Sequence, residues 1–403
     1  MKILYLTADG FDTPSPNNQM AEVMINDFID NGYDVHLIQS RRKRLFPDIP
    51  ESLEGKQGFT CDIVDRKVID KTNFIKRYLD DVAYAFSAMK YWRKVKDADV
   101  VFLQSNATIL YPMLLLKLFK RLPILYCIYD VWPGHAYDIG VVKSKLLFNI
   151  FRLLNKPCYK MASAMSVLSE DMKQKVVAEG AKPDKVHVVP AWFDVKTARE
   201  VAPEENRFIA KYNIPQDKFY VQFAGTVGYV FNYKTVIELA KRLQDEENIR
   251  IQIVGDGNVK DKFVAEVEEL GISNIEFYPL QPIDIVPDVY SACNLCIIPL
   301  QKGVIGNGVP SKAPILMACN RVIVNSVELD SQYAQMFNEN EMGVAVDVFD
   351  YDGLAAAIKE LYKAPETVAK MAKNAHKYGT ENYSSTLSTR KFMDIFDKIG
   401  RKK

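Results

Sequence analysis

Histidine is scarce: the chain has four in 403 residues. None stands at a ligand spacing with cysteine or carboxylate partners, so no metal centre is expected. Long hydrophobic runs are also missing. No uncharged apolar stretch approaches the roughly 20 residues that span a bilayer. Residues 1–7 read as a strand, Ile3-Leu4-Tyr5-Leu6 after Lys2, rather than as a charged leader before an apolar stretch. A cytoplasmic protein is therefore expected. The six cysteines are scattered, which suits reduced thiols better than a disulfide frame. Cys293 and Cys296 form a lone CxxC inside an apolar run and read as buried thiols. Charge of one sign is not in excess: the net charge is +1, which argues against nucleic acid as the main partner. No repeat or low-complexity segment occurs.

What is there belongs to a folded α/β protein. The length exceeds what one ordinary core organises, so two domains are expected. Short apolar runs alternate with longer amphipathic ones, the pattern of doubly wound parallel sheets. In the first half the candidate strands are 3–6, 35–38, 100–103, 124–128 and 165–168. Helical patterns include 20–30 and 115–120, and the polar stretch 41–70 reads as an irregular surface excursion. A second series of strands runs 220–223, 251–254, 275–278, 295–299, 322–325 and 344–346, with helices at 233–244, 260–270, 311–319 and 353–362 between them. Two Rossmann-like domains follow, 1–192 and 193–384, with an amphipathic helix at about 385–399 that has no strand after it.

Ligands of open α/β sheets sit beyond the carboxyl ends of the strands, so the loops there carry the candidates. Gly255-Asp256-Gly257 follows one strand and opens a helix, where free amides can meet an anion. A tight turn explains the same glycines. Gly225-Thr226-Val227-Gly228, with Asn232 and Lys234 beyond it, could hold a phosphate; a flexible loop is an equal reading. Gly303 to Gly308 leads through Pro310 to Ser311 and Lys312 at a helix start, where a lysine opposes the helix dipole unless an anion sits there. In the first half, Asp130 and His135 follow a strongly apolar strand and could touch a sugar or a phosphate. A capped turn is the alternative. Asn17 and Asn18 lie in a polar loop suited to acceptor contact.

Five pieces stand in order along the chain: Asp130-Val131-Trp132-Pro133, Val167 to Met172, Pro190-Ala191-Trp192-Phe193-Asp194, Val254-Gly255-Asp256-Gly257 and Val309-Pro310-Ser311-Lys312. Together they resemble glycosyltransferase family 4, retaining enzymes of the GT-B fold, and the bacterial fucosamine-transferase-like branch in particular. The resemblance implies two Rossmann-like domains facing a cleft, with the last helix crossing back to the first. It implies a nucleotide sugar, usually UDP-linked, bound by the second domain at Gly225, Thr226, Lys234, Gly255, Asp256, Gly257, Ser311 and Lys312. Acceptor contacts fall to Asn17, Asn18 and Asp130, and catalytic roles to Asp130, Lys312 and His135. No metal or other cofactor is implied. The sequence departs from the family where Asn307 and Ile315 occupy positions that often hold glutamates, and where Ala191 stands for an asparagine.

Two segments, 113–121 and 143–160, are both basic and apolar, and Arg41-Arg42-Lys43-Arg44 adds a basic run. They fit either core-facing helices or peripheral contact with an anionic membrane. The resemblance implies bacterial surface polysaccharide synthesis, such as capsule or O-antigen, and with it these segments suit a glycan or a polyprenyl-diphosphate-linked sugar as acceptor. The competing readings are a UDP-sugar 2-epimerase and a non-catalytic subunit of the same fold.

Overall fold

The computed structural model describes residues 1–13, 15–69, 74–91, 97–119 and 122–401. The chain divides into two compact units, Met1–Tyr137 with Val142–Pro190 and Ser385–Lys403, and Asp138–Val141 with Ala191–Ser384.

The first unit is built on a parallel seven-stranded sheet. Its strands are β1 (Lys2–Leu6), β2 (Asp34–Arg41), β3 (Phe59–Asp65), β4 (Val100–Gln104), β5 (Ile124–Ile128), β6 (Ala164–Val167) and β7 (Val186–Val188). Their order is β3-β2-β1-β4-β5-β6-β7. The helices are α1 (Pro16–Asp30), α2 (Phe74–Ala88), α3 (Leu110–Phe119), α4 (Gly134–Asp138), α5 (Lys145–Met161) and α6 (Glu170–Ala178). Strands β4 and β5 are buried at every residue, which is why they appear as continuous apolar runs. Serines start α1, α5 and α6: Ser15 accepts from the Asn18 amide, Ser144 from Leu147 and Ser169 from Met172.

Two sequence expectations need correction here. The stretch 41–70 is not wholly irregular, because β3 pairs in parallel with β2 from Val35↔Phe59 to Arg41↔Asp65. The helical pattern at 115–120 is the end of a longer helix, α3; Lys120, like Arg121 and Asp70, lies outside the described residues.

The second unit holds a parallel six-stranded sheet, β8 (Phe219–Ala224), β9 (Ile249–Val254), β10 (Ile275–Tyr278), β11 (Leu295–Pro299), β12 (Val322–Ser326) and β13 (Gly343–Val346), in the order β10-β9-β8-β11-β12-β13. Its helices are α7 (Arg207–Tyr212), α8 (Tyr233–Leu243), α9 (Lys260–Glu269), α10 (Val286–Ser291), α11 (Ala313–Ala318), α12 (Gln332–Glu339), α13 (Tyr351–Lys363) and α14 (Pro365–Asn382). Alternation along β8 shows how both faces are filled. Val221 and Phe223 enter one buried cluster with Ile251, Ile253, Leu295 and Ile297, while Tyr220 and Ala224 enter the other with Val254, Cys296 and Ile298. Each valine, leucine, isoleucine and phenylalanine among them contributes about 1.5–3 kcal/mol by leaving water. Cys293 and Cys296 are buried with their sulfurs 3.5 Å apart.

The final helix, α15 (Ser385–Ile399), belongs to the first unit. Its aromatic face explains the docking: Phe396 meets Phe28 with ring centroids 5.2 Å apart, and Phe392 meets Phe102 at 5.3 Å. The Ser388 hydroxyl donates to the Pro190 carbonyl and the Tyr33 hydroxyl to Asp397, at 3.2 and 2.8 Å.

Candidate active site

In the second unit the loops after β8, β9 and β11 converge. The Gly225 amide donates to the Val254 carbonyl at 2.9 Å, and the Val227 amide donates to the Asp256 carbonyl at the same distance. The glycines make this approach possible. Gly255 has φ of +152°, and a β-carbon there would stand 1.9 Å from the Gly225 carbonyl oxygen. Gly225, at φ +143°, faces the end of Lys312, and its β-carbon would fall 2.7 Å from the ammonium nitrogen. Gly257 closes on the Val227 carbonyl in the same way. Thr226 and Asp256 are exposed at the rim, where the Asp256 carboxylate accepts from the Gly257 amide at 2.8 Å.

Lys312 is the charged centre of this cluster. It is only partly exposed, and its nitrogen lies 3.7 Å from the centroid of the Phe223 ring. Burial lowers its pKa to about 7. An ammonium held over an aromatic face, with no carboxylate to neutralise it among the described residues, is poised to gain from an arriving anion. Phe223 was not singled out from the sequence, because an aromatic residue inside an apolar strand looks like core.

Other donor candidates are placed differently from the sequence reading. The Lys234 ammonium is paired with Glu266 on α9, and that contact raises its pKa. The Asn232 side chain caps α8 by accepting from the Thr235 amide at 3.3 Å. Helix α11 starts at Ala313, so Lys312 rather than Ser311 is its capping residue, and Ser311 is exposed in the turn before it. Asn307 is buried and donates to the Gly303 carbonyl at 3.0 Å and to Asp138, in the short segment that belongs to this unit. Glu328, after β12, accepts from the Gly303 amide. Ile315 packs against the apolar cluster beneath the loop, so nothing at that position can bond a ribose hydroxyl.

In the first unit, Asp130 lies two residues past the end of β5 and its carboxylate is 61% exposed. His135, on α4, brings its Nε2 to 3.7 Å from that carboxylate, while its Nδ1 is buried with no hydrogen-bond partner among the described residues. Asn17 is exposed at the start of α1. Asn18 is committed to the loop itself, its amide donating to the carbonyls of Gly10 and Thr13 at 2.8 and 2.6 Å. Asp12 is the residue the sequence concealed. It is buried and accepts from the amides of Arg42, Lys43 and Arg44 at 2.9, 2.6 and 2.8 Å, locking the loop after β2 against the loop after β1. The basic run there is largely neutralised: Arg41 pairs with Asp48 and Asp65, Arg42 with Asp80 and Asp81, and Arg44 with Asp65. It is therefore not the free cationic patch expected from the sequence.

The expected basic amphipathic helix is present as α5, and its leucines and Ile150 do not face the core. Leu146 and Leu153 are 70% and 69% exposed, and Leu147, Ile150 and Leu154 are also exposed. The helix is held from its other side by Asn155, Cys158 and Tyr159, and by Phe151, whose ring lies 5.3 Å from that of Trp132. Leu118 on α3 adds a further exposed apolar side chain, 75% accessible. No helix among the described residues is long and apolar enough to cross a membrane.

Comparison with known proteins agrees with this architecture. Residues 19–197 match the family described as Glycosyltransferase Family 4, and residues 204–378 match Glycosyl transferases group 1. The chain is 24% identical to the probable glycosyltransferase WbjE of Pseudomonas aeruginosa over 330 residues, 80% of each chain. It is 26% identical to the putative colanic acid biosynthesis glycosyl transferase WcaI of Escherichia coli over 211 residues, 51% of each. Among solved structures, the sucrose-phosphate synthase of Thermosynechococcus elongatus superposes with a TM-score of 0.78 at 15% identity, covering 98% of both chains. Anabaena Alr3699/HepE, solved in complex with UDP, gives a TM-score of 0.73 at 14% identity over 99% of this chain and 100% of its own. With both halves matched in order on two parallel α/β sheets, the chain belongs to the family 4 glycosyltransferases of the GT-B fold.

Proposed function

We propose that the protein transfers a sugar from a UDP-sugar to a glycan or polyprenyl-diphosphate-linked acceptor during bacterial surface polysaccharide synthesis, with retention at the anomeric carbon. The observation that carries this reading is the Lys312 ammonium over Phe223, set against Gly225, with no carboxylate partner among the described residues. A diphosphate is the anion such a centre suits, and a relative in fold, HepE, was solved with UDP. The names of WbjE and WcaI point to bacterial glycan assembly.

In this reading the second unit holds the nucleotide sugar, with Gly255, Asp256 and Gly257 beside the nucleoside and Ser311, Thr226 and the Gly225 loop beside the diphosphate. Lys312 stabilises the charge on the departing β-phosphate, the electrostatic effect expected to dominate. The acceptor hydroxyl attacks the anomeric carbon from the leaving-group face, and its proton passes to the departing phosphate oxygen. Asp130 and His135 orient the acceptor from the first unit. The exposed leucines of α5, flanked by Lys145, Arg152, Lys156 and Lys160, fit docking on an anionic membrane where a polyprenyl-linked acceptor resides. Such docking would make the protein peripheral on the cytoplasmic face.

The test is UDP release in the presence and absence of acceptor, with the anomeric configuration of the product read by NMR. Acceptor-dependent release with retention supports the reading, whereas acceptor-independent release with sugar isomerisation favours the 2-epimerase. Ile315, apolar where the family often has a glutamate, favours one further reading: a subunit that binds sugar nucleotide without turnover. Binding of a UDP-sugar with no release under any acceptor would select it.

A further inference from the structure

A second basic site lies in the first unit, on residues to which no role has been given above. An open cleft of about 330 Å³ is lined by Val186, His187 and Val188 of edge strand β7 and by Val189 just after it. Helix α15 forms one wall with Lys391, Asp394, Ile395 and Lys398, which recur at helical spacing on one face, and Lys173 closes the other side from α6. The groups that titrate around the cleft are therefore four bases and one carboxylate, Asp394.

Three lysines and a histidine here face one carboxylate, Asp394. Arg41, Arg42, Arg44 and Arg66 all sit within salt-bridge distance of carboxylates. None of Lys173, Lys391 and Lys398 carries such a pair among the described residues. The field is felt by His187: burial lowers its pKa, and Lys398 and Lys173 lower it further. The valines and Ile395 provide a low-dielectric wall that strengthens attraction for an anion. The size is at the lower end of small-molecule sites, about 300–1,000 Å³.

We propose that this cleft binds a phosphate group, with Lys173, Lys391 and Lys398 as charged donors and His187 as a hydrogen-bonding partner. A soluble phosphorylated metabolite and an anionic lipid headgroup offer the same chemistry, and the two can be separated by choice of probe. The full-length protein is labelled with nitrogen-15, and the imidazole signals of its four histidines are followed by NMR. A His187→Gln variant assigns the relevant signal. Pyrophosphate in solution is one probe, and vesicles of phosphatidylglycerol are the other. A saturable His187 shift with pyrophosphate identifies a diffusible ligand, and a shift with the vesicles alone identifies a headgroup. In either case K391A/K398A should weaken the effect at least about tenfold, since two charge-assisted contacts are removed. Both lysines have solvent-accessible side chains, and unchanged thermal melting confirms that the variant is folded. A His187 signal that stays in place with both probes, or shifts equally in the double variant, overturns the proposal. A UDP-sugar bound in the second unit leaves this signal unmoved, so the result does not depend on the donor assignment.

Discussion

If Lys312 is the group that meets the diphosphate, nucleotide affinity must fall as pH rises through 7. Its pKa in the unliganded protein is about 7 because burial disfavours the ammonium. An anion in contact raises the pKa of a base, by about 1–3 units for a single opposite charge. The bound lysine is then charged up to about pH 9, and binding above pH 7 must draw a proton from solvent. The free-energy difference between about pH 6 and about pH 8 is roughly 1.4 kcal/mol, a tenfold loss of affinity. Stability of the unliganded fold moves the other way. Between about pH 7 and the unfolded lysine value near 10.4, the unfolded chain holds a proton that the folded chain lacks, so this group favours the fold more as pH rises. The assay is calorimetric titration with a UDP-sugar, whose diphosphate does not titrate in this range. Free UDP is unsuitable because its terminal phosphate titrates near pH 6, roughly. Proton uptake is read from the dependence of the binding heat on buffer ionisation. Lys312→Ala should lose both the slope and much of the affinity. A flat profile in the wild type, or the same slope in the variant, refutes the reasoning.

Gly225→Ala places a methyl group 2.7 Å from the Lys312 nitrogen at a φ of +143°. It should displace the ammonium and weaken UDP-sugar binding, with a stability cost of about 1–3 kcal/mol from the strained backbone, measured by calorimetry and urea unfolding. Asp12→Ala removes the acceptor of three loop amides and should destabilise the protein by about 2–4 kcal/mol, leaving donor affinity unchanged. Replacing Leu146 and Leu153 with glutamate should abolish sedimentation with anionic vesicles while changing stability by no more than about 0.5 kcal/mol, because both side chains are largely exposed. Asp130→Asn should lower turnover with acceptor and leave UDP-sugar affinity intact, since Asp130 lies in the first unit.

Much of the fold could be read from the sequence because most strands are buried on both faces and so appear as unbroken apolar runs. Strand β3 escaped for the converse reason. At the sheet edge, Phe59-Thr60-Cys61-Asp62-Ile63-Val64-Asp65 alternates between partly exposed and buried positions, and its polar residues resemble the loop before it. The glycines of the donor loops were legible, since a strand followed at once by glycine needs a reason. Their partners were not. Whether Lys234 is free depends on Glu266, far along the chain on another helix, and the same holds for Arg42 with Asp80 and Asp81. Helix α5 poses a different problem: an amphipathic pattern reads the same whether its apolar stripe meets a core or a lipid surface. Only the packing of Asn155, Cys158 and Tyr159 on the inner side leaves the leucines outside.

The central claim is that the second unit holds a UDP-sugar by its diphosphate at Lys312. Thermal melting of the wild type and of Lys312→Ala against UDP-, GDP-, dTDP- and ADP-sugars tests it most directly. A ligand at a hundred times its dissociation constant stabilises the fold by about 2.7 kcal/mol. The account predicts that shift with a UDP-sugar for the wild type and little or none for the variant. No stabilisation by any nucleotide sugar, or equal stabilisation of both proteins, would contradict it.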